Sequence, residues 1–133
     1  MKKVFLGIVV VTLCILFYVT KKYDLINFFR YKQKIKEISY SVTDIKKVKD
    51  GIYEGSYDAL YVKARVKVVV KEGKIAEVDL LEHYNDRGAG AEAIIDTIIS
   101  DQKVDVDSVA GVTNSSKVIK KSVDNALLKG VNF

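Results

Sequence analysis

"YVKARVKVVVKEGKIAEVDLLEH", Tyr61 to His83, is the stretch on which the fold turns. Val62, Ala64, Val66, Val68 and Val70 alternate with Lys63, Arg65, Lys67, Val69 and Lys71. That period of two buries one face of a strand and leaves the other in water. Glu72-Gly73 reads as a turn, after which Ala76, Val78 and Leu80 continue the alternation on a returning strand. The spacing predicts an antiparallel hairpin.

Working outward, "DGIYEGSY" (50–57) sets β-formers between glycines and predicts a first strand near Ile52–Tyr57. On the other side the period changes. In "GAGAEAIIDTIIS" (88–100), Ala91, Ile94, Ile95, Ile98 and Ile99 fall on one helical stripe. From about Ser116, Val118, Ile119, Val123, Ala126 and Leu127 form a second stripe. The fold class is α+β: an antiparallel sheet of three or more strands with two helices against one face.

Composition narrows the chemistry. A chain of 133 residues holds one modest domain plus an appendage. Cys14 is the lone cysteine, so no internal disulfide can form and a cysteine-rich zinc site is excluded. His83, the lone histidine, argues against a histidine-based metal site. Charge is unevenly placed. Residues 1–49 carry 11 Lys/Arg against 3 Asp/Glu, or +8, whereas residues 50–133 carry 11 against 14, or −3. Nucleic-acid binding would want the excess on the folded module, so no nucleic-acid partner is expected. A membrane surface suits the asymmetry better.

The membrane is also where the N-terminus points. Val4 to Thr20 is an uncharged, mostly apolar run fenced by lysines. As a helix it is roughly 25 Å long, slightly short of a bilayer core. Tyr18 and snorkelling lysines make up the difference. No small-x-small pattern follows the run, and Leu13 precedes Cys14 where a lipoprotein signal needs a small residue. The expectation is an uncleaved single-span anchor over 1–22. Residues 23–49 then read as a juxtamembrane amphipathic helix and linker, with a helix packed on the following domain as the equal alternative. The folded domain is expected over 50–133.

The last motif is "DVDSVAGVTNSSKVIKKSVDNAL" (105–127). Thr113, Asn114, Ser115 and Ser116 crowd small hydrogen-bonding groups at a helix start, just after Gly111 and Val112. A helix N-terminus has unpaired N–H groups and a positive dipole end, so the cluster can seat a phosphate. On this segment alone, Asn114 or Ser115 acting as an ordinary cap is the preferred reading. A second small-residue loop, "NDRGAGAEA" (85–93), carries Gly88 and Gly90 between hairpin and first helix.

The order "DGxYxG", alternating hairpin, glycine loop, Ile-rich helix and polar helix mouth resembles the FMN-binding domain family across residues 50–130. Its signature is an aspartate, two variable residues and Ser-Gly-Ala-Thr. Asp107, Gly111 and Thr113 match, while Ala110 and Val112 stand where serine or threonine, and alanine, are usual. The resemblance implies FMN with its phosphate at the helix mouth, joined in some members through a phosphoester to the signature threonine by a flavin transferase; here that residue is Thr113. It implies that the flavin ring reaches towards the glycine loop and the hairpin end, where Glu82, His83 and Tyr84 could touch it. These three also read as an ordinary strand end.

Family members include flavinylated subunits of membrane NADH oxidoreductases. The implied role is therefore an electron carrier served by redox partner proteins or a quinone-linked electron donor. No catalytic triad is legible, so a carrier is expected rather than a stand-alone enzyme. The alternatives are a sensor or interaction module of the same fold, and an anchored flavin enzyme. Flank charge favours a cytoplasmic domain. The short "MKK" tail and the resemblance favour an extracytoplasmic one, which is the expectation adopted.

Overall fold

The computed structural model describes residues 1–42, 44–85 and 87–131. They form two compact units, Met1–Gln33 and Lys34–Phe133.

Apart from Met1, the first unit lies within helix α1, which runs from Lys2 to Lys36. Its apolar window has a mean hydropathy of 2.4 and no buried residue, and it is the one described helix long and apolar enough to cross a membrane. The hydroxyls of Thr12 and Thr20 donate to the carbonyls of Ile8 and Phe17 at 2.8 Å, so neither interrupts the apolar surface with an unpaired group. Past the run, Lys32 sits over the ring of Phe28 at 4.8 Å.

The second unit is a three-stranded antiparallel sheet, ordered β1 (Gly51–Asp58), β2 (Lys63–Lys71), β3 (Lys74–Tyr84). Helix α2 (Ile94–Asp101) lies along β3, and α3 (Thr113–Leu128) packs across β1 and β2. The core reaches back beyond Asp50. Ile35, Val42, Ile45 and Val48 are buried in it, so residues 34–49 belong to this unit along with the 50–133 read from the sequence.

The hairpin turn is Glu72-Gly73 with φ of 52° and 67°, the left-handed pair a two-residue connection requires. Val62, Ala64, Val66, Val68 and Val70 are buried as their alternation requires. Strand β3 departs from the simple pattern. Val69 pairs with Glu77 but Val70 with Ile75, so Ala76 is bulged out and Ile75 takes the core position expected for Ala76. A second bulge falls at Leu81, because Val66 pairs with Leu80 and Arg65 with Glu82. Each extra residue flips the facing of the strand positions beyond it. Unbroken alternation from Val78 and Leu80 would turn Glu82 inward and His83 outward. The bulge reverses that, and His83 pairs with buried Ala64.

The helices are set by polar contacts as well as by the apolar stripe. Gln102, left-handed at the end of α2, accepts from Ile75 N–H at 2.7 Å and donates to Ile75 O at 2.9 Å, tying α2 to the open edge of β3. Helix α3 lies so close to β1 that a Cβ on Gly55 would stand 2.2 Å from the Ser122 carbonyl and 2.3 Å from the Ala126 nitrogen. Only glycine fits there.

Candidate functional site at the mouth of helix α3

Helix α3 starts at Thr113, three residues before the apolar stripe suggested. The polar cluster is therefore its first turn. The residue before it, Val112, has no side-chain atom able to accept from the first N–H groups. Neither Asn114 nor Ser115 stands at the cap position. The Thr113 hydroxyl makes no hydrogen bond among the described residues, and Thr113, Asn114 and Gly111 are exposed. The exposed Thr113 hydroxyl thus stands at the positive end of a 16-residue helix, while Ser115 beside it is buried.

The loop leading in is held by two buried side chains of the same helix. Ser116 accepts from Val109 N–H at 3.1 Å and donates to Val112 O at 3.0 Å. Its hydroxyl closes the loop and does not face the open mouth. One turn further on, Lys120 is 4% exposed and donates to Val106 O at 2.5 Å. Its ammonium lies over the Tyr40 ring at 4.9 Å. Burial lowers its pKa from the ordinary lysine value, with the Asp105 carboxylate opposing. Burial, with Asp105 and Asp124 adding, pushes the Tyr40 phenol upward. Between the two pins, Val112 N–H bonds to Val109 O at 3.2 Å, with Gly111 at φ 81° in the third position of the turn. That is where a type II turn demands a positive φ. Exposed Asp107 lies on the pinned segment.

The glycine loop comes to the same place. A Cβ on Gly88 would stand 1.9 Å from Ser115 Oγ, so loop and helix mouth are in contact. Gly88 N–H donates to Asn85 Oδ1 at 2.7 Å, and Asn85 Nδ2 lies 3.3 Å from His83 Nδ1. His83 Nδ1 is 3.1 Å from Glu92 Oε1. Gly90 has nothing within 4 Å of where a side chain would begin. Of the residues proposed from sequence, Gly88, Gly111, Val112, Thr113, Asn114, Ser115, Ser116 and His83 are gathered around this junction. Glu82 and Tyr84 lie on the other face of β3, where Glu82 pairs with Arg65 at 2.6 Å and Tyr84 is exposed. Asp86, within the loop, is outside the described residues.

Lys120, Asn85 and Glu92 were not singled out from sequence. A lysine inside an otherwise apolar helical stripe was the available signal for the first. For the other two there was none, because their roles depend on the bulge that turns His83 inward.

A phosphate monoester suits the mouth, where an exposed hydroxyl at the positive end of a helix, open space at Gly111 and a loop fixed at both ends coincide. His83 Nε2 is buried without a partner among the described residues and is a polar atom that could meet the rest of such a ligand.

The comparisons with known proteins give a family. The model of the FMN-binding domain matches residues 61–128. An uncharacterized protein of Treponema pallidum (strain Nichols) is 30% identical over 83 residues, which are 60% of this chain and 23% of that protein. The chain thus spans less than a quarter of that relative's length. No solved structure matches. With its hairpin, its glycine loop and the mouth of α3 all inside the matched span, the chain belongs to the FMN-binding domain family.

Proposed function

We propose that this protein is a membrane-tethered FMN electron carrier whose cofactor phosphate sits at the mouth of α3 and is bonded to Thr113. The observation that supports it most is a threonine hydroxyl, exposed and without a hydrogen bond among the described residues, on the first turn of α3 in a chain of the FMN-binding domain family. Gly111, Val112, Asn114 and Ser115 would surround the phosphate, with Gly88 and Gly90 beside it. Ser116 and Lys120 would keep the loop in place. The bond is a phosphoester from Thr113 Oγ1 to phosphorus. The flavin transferase would present a flavin dinucleotide. Thr113 Oγ1 bonds to the flavin-side phosphorus as the P–O bond of the pyrophosphate breaks, the nucleoside monophosphate leaves, and the hydroxyl proton passes to it or to water. When bound, FMN supplies one- or two-electron exchange. The chain's own task is to hold it, keep water off its buried side and present it to a redox partner.

Helix α1 would anchor the domain in the cell membrane, with residues beyond the span extracytoplasmic. Protease added to spheroplasts should then remove the domain. Protection until lysis would reverse the topology.

The test of the cofactor reading is simple. The full chain is produced with a flavin transferase, purified in detergent and denatured. Flavin fluorescence should remain on the polypeptide. Fluorescence lost on denaturation would leave non-covalent binding, and a chain that never acquires flavin, even from added FMN, would leave only an interaction module.

A further inference from the structure

His83 is the single histidine of the chain, and its side chain is 3% exposed. Nδ1 faces Glu92 Oε1 at 3.1 Å and Asn85 Nδ2 at 3.3 Å. Nε2, on the other side of the ring, is buried and has no hydrogen-bond partner among the described residues. Folded proteins seldom leave such an atom unpaired, because its lost hydration is not replaced. Two hydrogen-bonded steps and one packing contact link this ring to the phosphate seat: His83 to Asn85, Asn85 to Gly88, Gly88 to Ser115.

We propose that His83 Nε2 is a hydrogen-bond acceptor for the flavin beyond its phosphate, and that Glu92 is the positioning residue that makes it one. This rests on the flavin reading above and adds the residue pair that would orient the cofactor. A carboxylate can only accept, so at 3.1 Å it keeps the ring proton on Nδ1. The contact from Asn85 Nδ2 to Nδ1 is longer and uncharged, and the same amide nitrogen lies 3.4 Å from the His83 carbonyl. The charged partner therefore decides the tautomer. Nε2 is left with a lone pair. An acceptor there pairs with an N–H or O–H, which FMN offers at the N3–H edge of its isoalloxazine ring and at its ribityl hydroxyls. It rejects the ring's carbonyl oxygens and unprotonated nitrogens. The pair would thus select which edge of the flavin is turned inward.

Because His83 is the only histidine, labelling the full chain with ¹⁵N-histidine gives one pair of ring signals and needs no substitution. The flavin-free chain, made without a transferase, should show a protonated Nδ1 and an unprotonated Nε2. Saturation with FMN should shift the Nε2 signal and leave Nδ1 protonated. Glu92→Gln should mix the two tautomers. His83→Phe should weaken FMN binding about tenfold, the loss of roughly one hydrogen bond, and His83→Gln, which keeps an acceptor, by less. FMN binding with an unmoved Nε2 signal, or an Nε2–H tautomer in the flavin-free chain, would overturn the inference while leaving the flavin reading standing. Failure of the wild-type chain to bind FMN at all would sink both.

Discussion

The two halves of helix α3 use polar residues for opposite purposes. In the rear half they are buried and paired inside the protein. Ser122 donates its hydroxyl to Ala64 O at 3.0 Å, tying the helix to β2. Asp124, fully buried, accepts from Ser41 and Val42 N–H at 2.8 Å and from Lys121 at 2.7 Å. Lys121 also reaches Ser39 O at 2.8 Å, so this half clamps the segment 39–42 to the domain. At the mouth, Thr113 and Asn114 face outward, and the cap position holds a valine with nothing to offer. A polar side chain on a packed helix is therefore a poor guide to function until its partner is known. Ser116 and Lys120 lie at the crossover, buried like the rear half but holding the loop that shapes the mouth.

The sharpest way to break this contrast is to attack the rear half. Asp124→Ala leaves two backbone donors unpaired and a mostly buried lysine without its carboxylate, and should cost about 3–5 kcal/mol in urea unfolding of the full chain in detergent. A loss below about 1 kcal/mol would mean the clamp is solvated. Gly55→Ala is expected next, at about 3 kcal/mol, because the new methyl meets backbone atoms of α3 that cannot rotate away. Wild-type stability in that variant would contradict the close approach of α3 to β1.

The mouth should respond differently. Gly111→Val has open space around it, so its stability cost comes from φ alone, about 1–2 kcal/mol. Its larger effect should be on FMN affinity, about tenfold or more by titration, since the loop donors would be displaced. Affinity equal to wild type would move the phosphate elsewhere. A stability cost as large as that of Asp124→Ala would erase the distinction between the halves.

The packed face of α3 was legible in the sequence through its apolar stripe, and Val118, Ile119, Val123, Ala126 and Leu127 are all buried. The hairpin was equally plain, down to the two turn residues. What the sequence hid were events that periodicity does not encode. The bulges at Ala76 and Leu81 cost one residue each and leave composition unchanged, yet they decide that Ile75 and His83 face inward. The start of α3 was misplaced because its first turn carries no apolar residue to mark it. The packing of residues 34–49 was half legible, as one of two equal readings, because their lysines mask four buried aliphatic positions at Ile35, Val42, Ile45 and Val48. Thr113, Gly111 and Gly88 were found because small residues at a helix start carry their own chemistry. Lys120 and Glu92 were not, because each acts only through a neighbour brought to it by folding.

Thr113→Val should be the mildest change to the fold and the most informative for function. One exposed hydroxyl at a helix start, unpaired among the described residues, contributes at most about 1 kcal/mol to stability. The full chain and this variant are each produced with a flavin transferase, extracted from membranes, and compared by intact mass and by sequencing of the peptide spanning 105–127. The expected result is a mass increase of one FMN group on the wild-type peptide at Thr113, and none on the variant, with both chains equally stable. The same increase on the variant, or an increase mapped to another residue, would contradict the assignment of the α3 mouth as the attachment site.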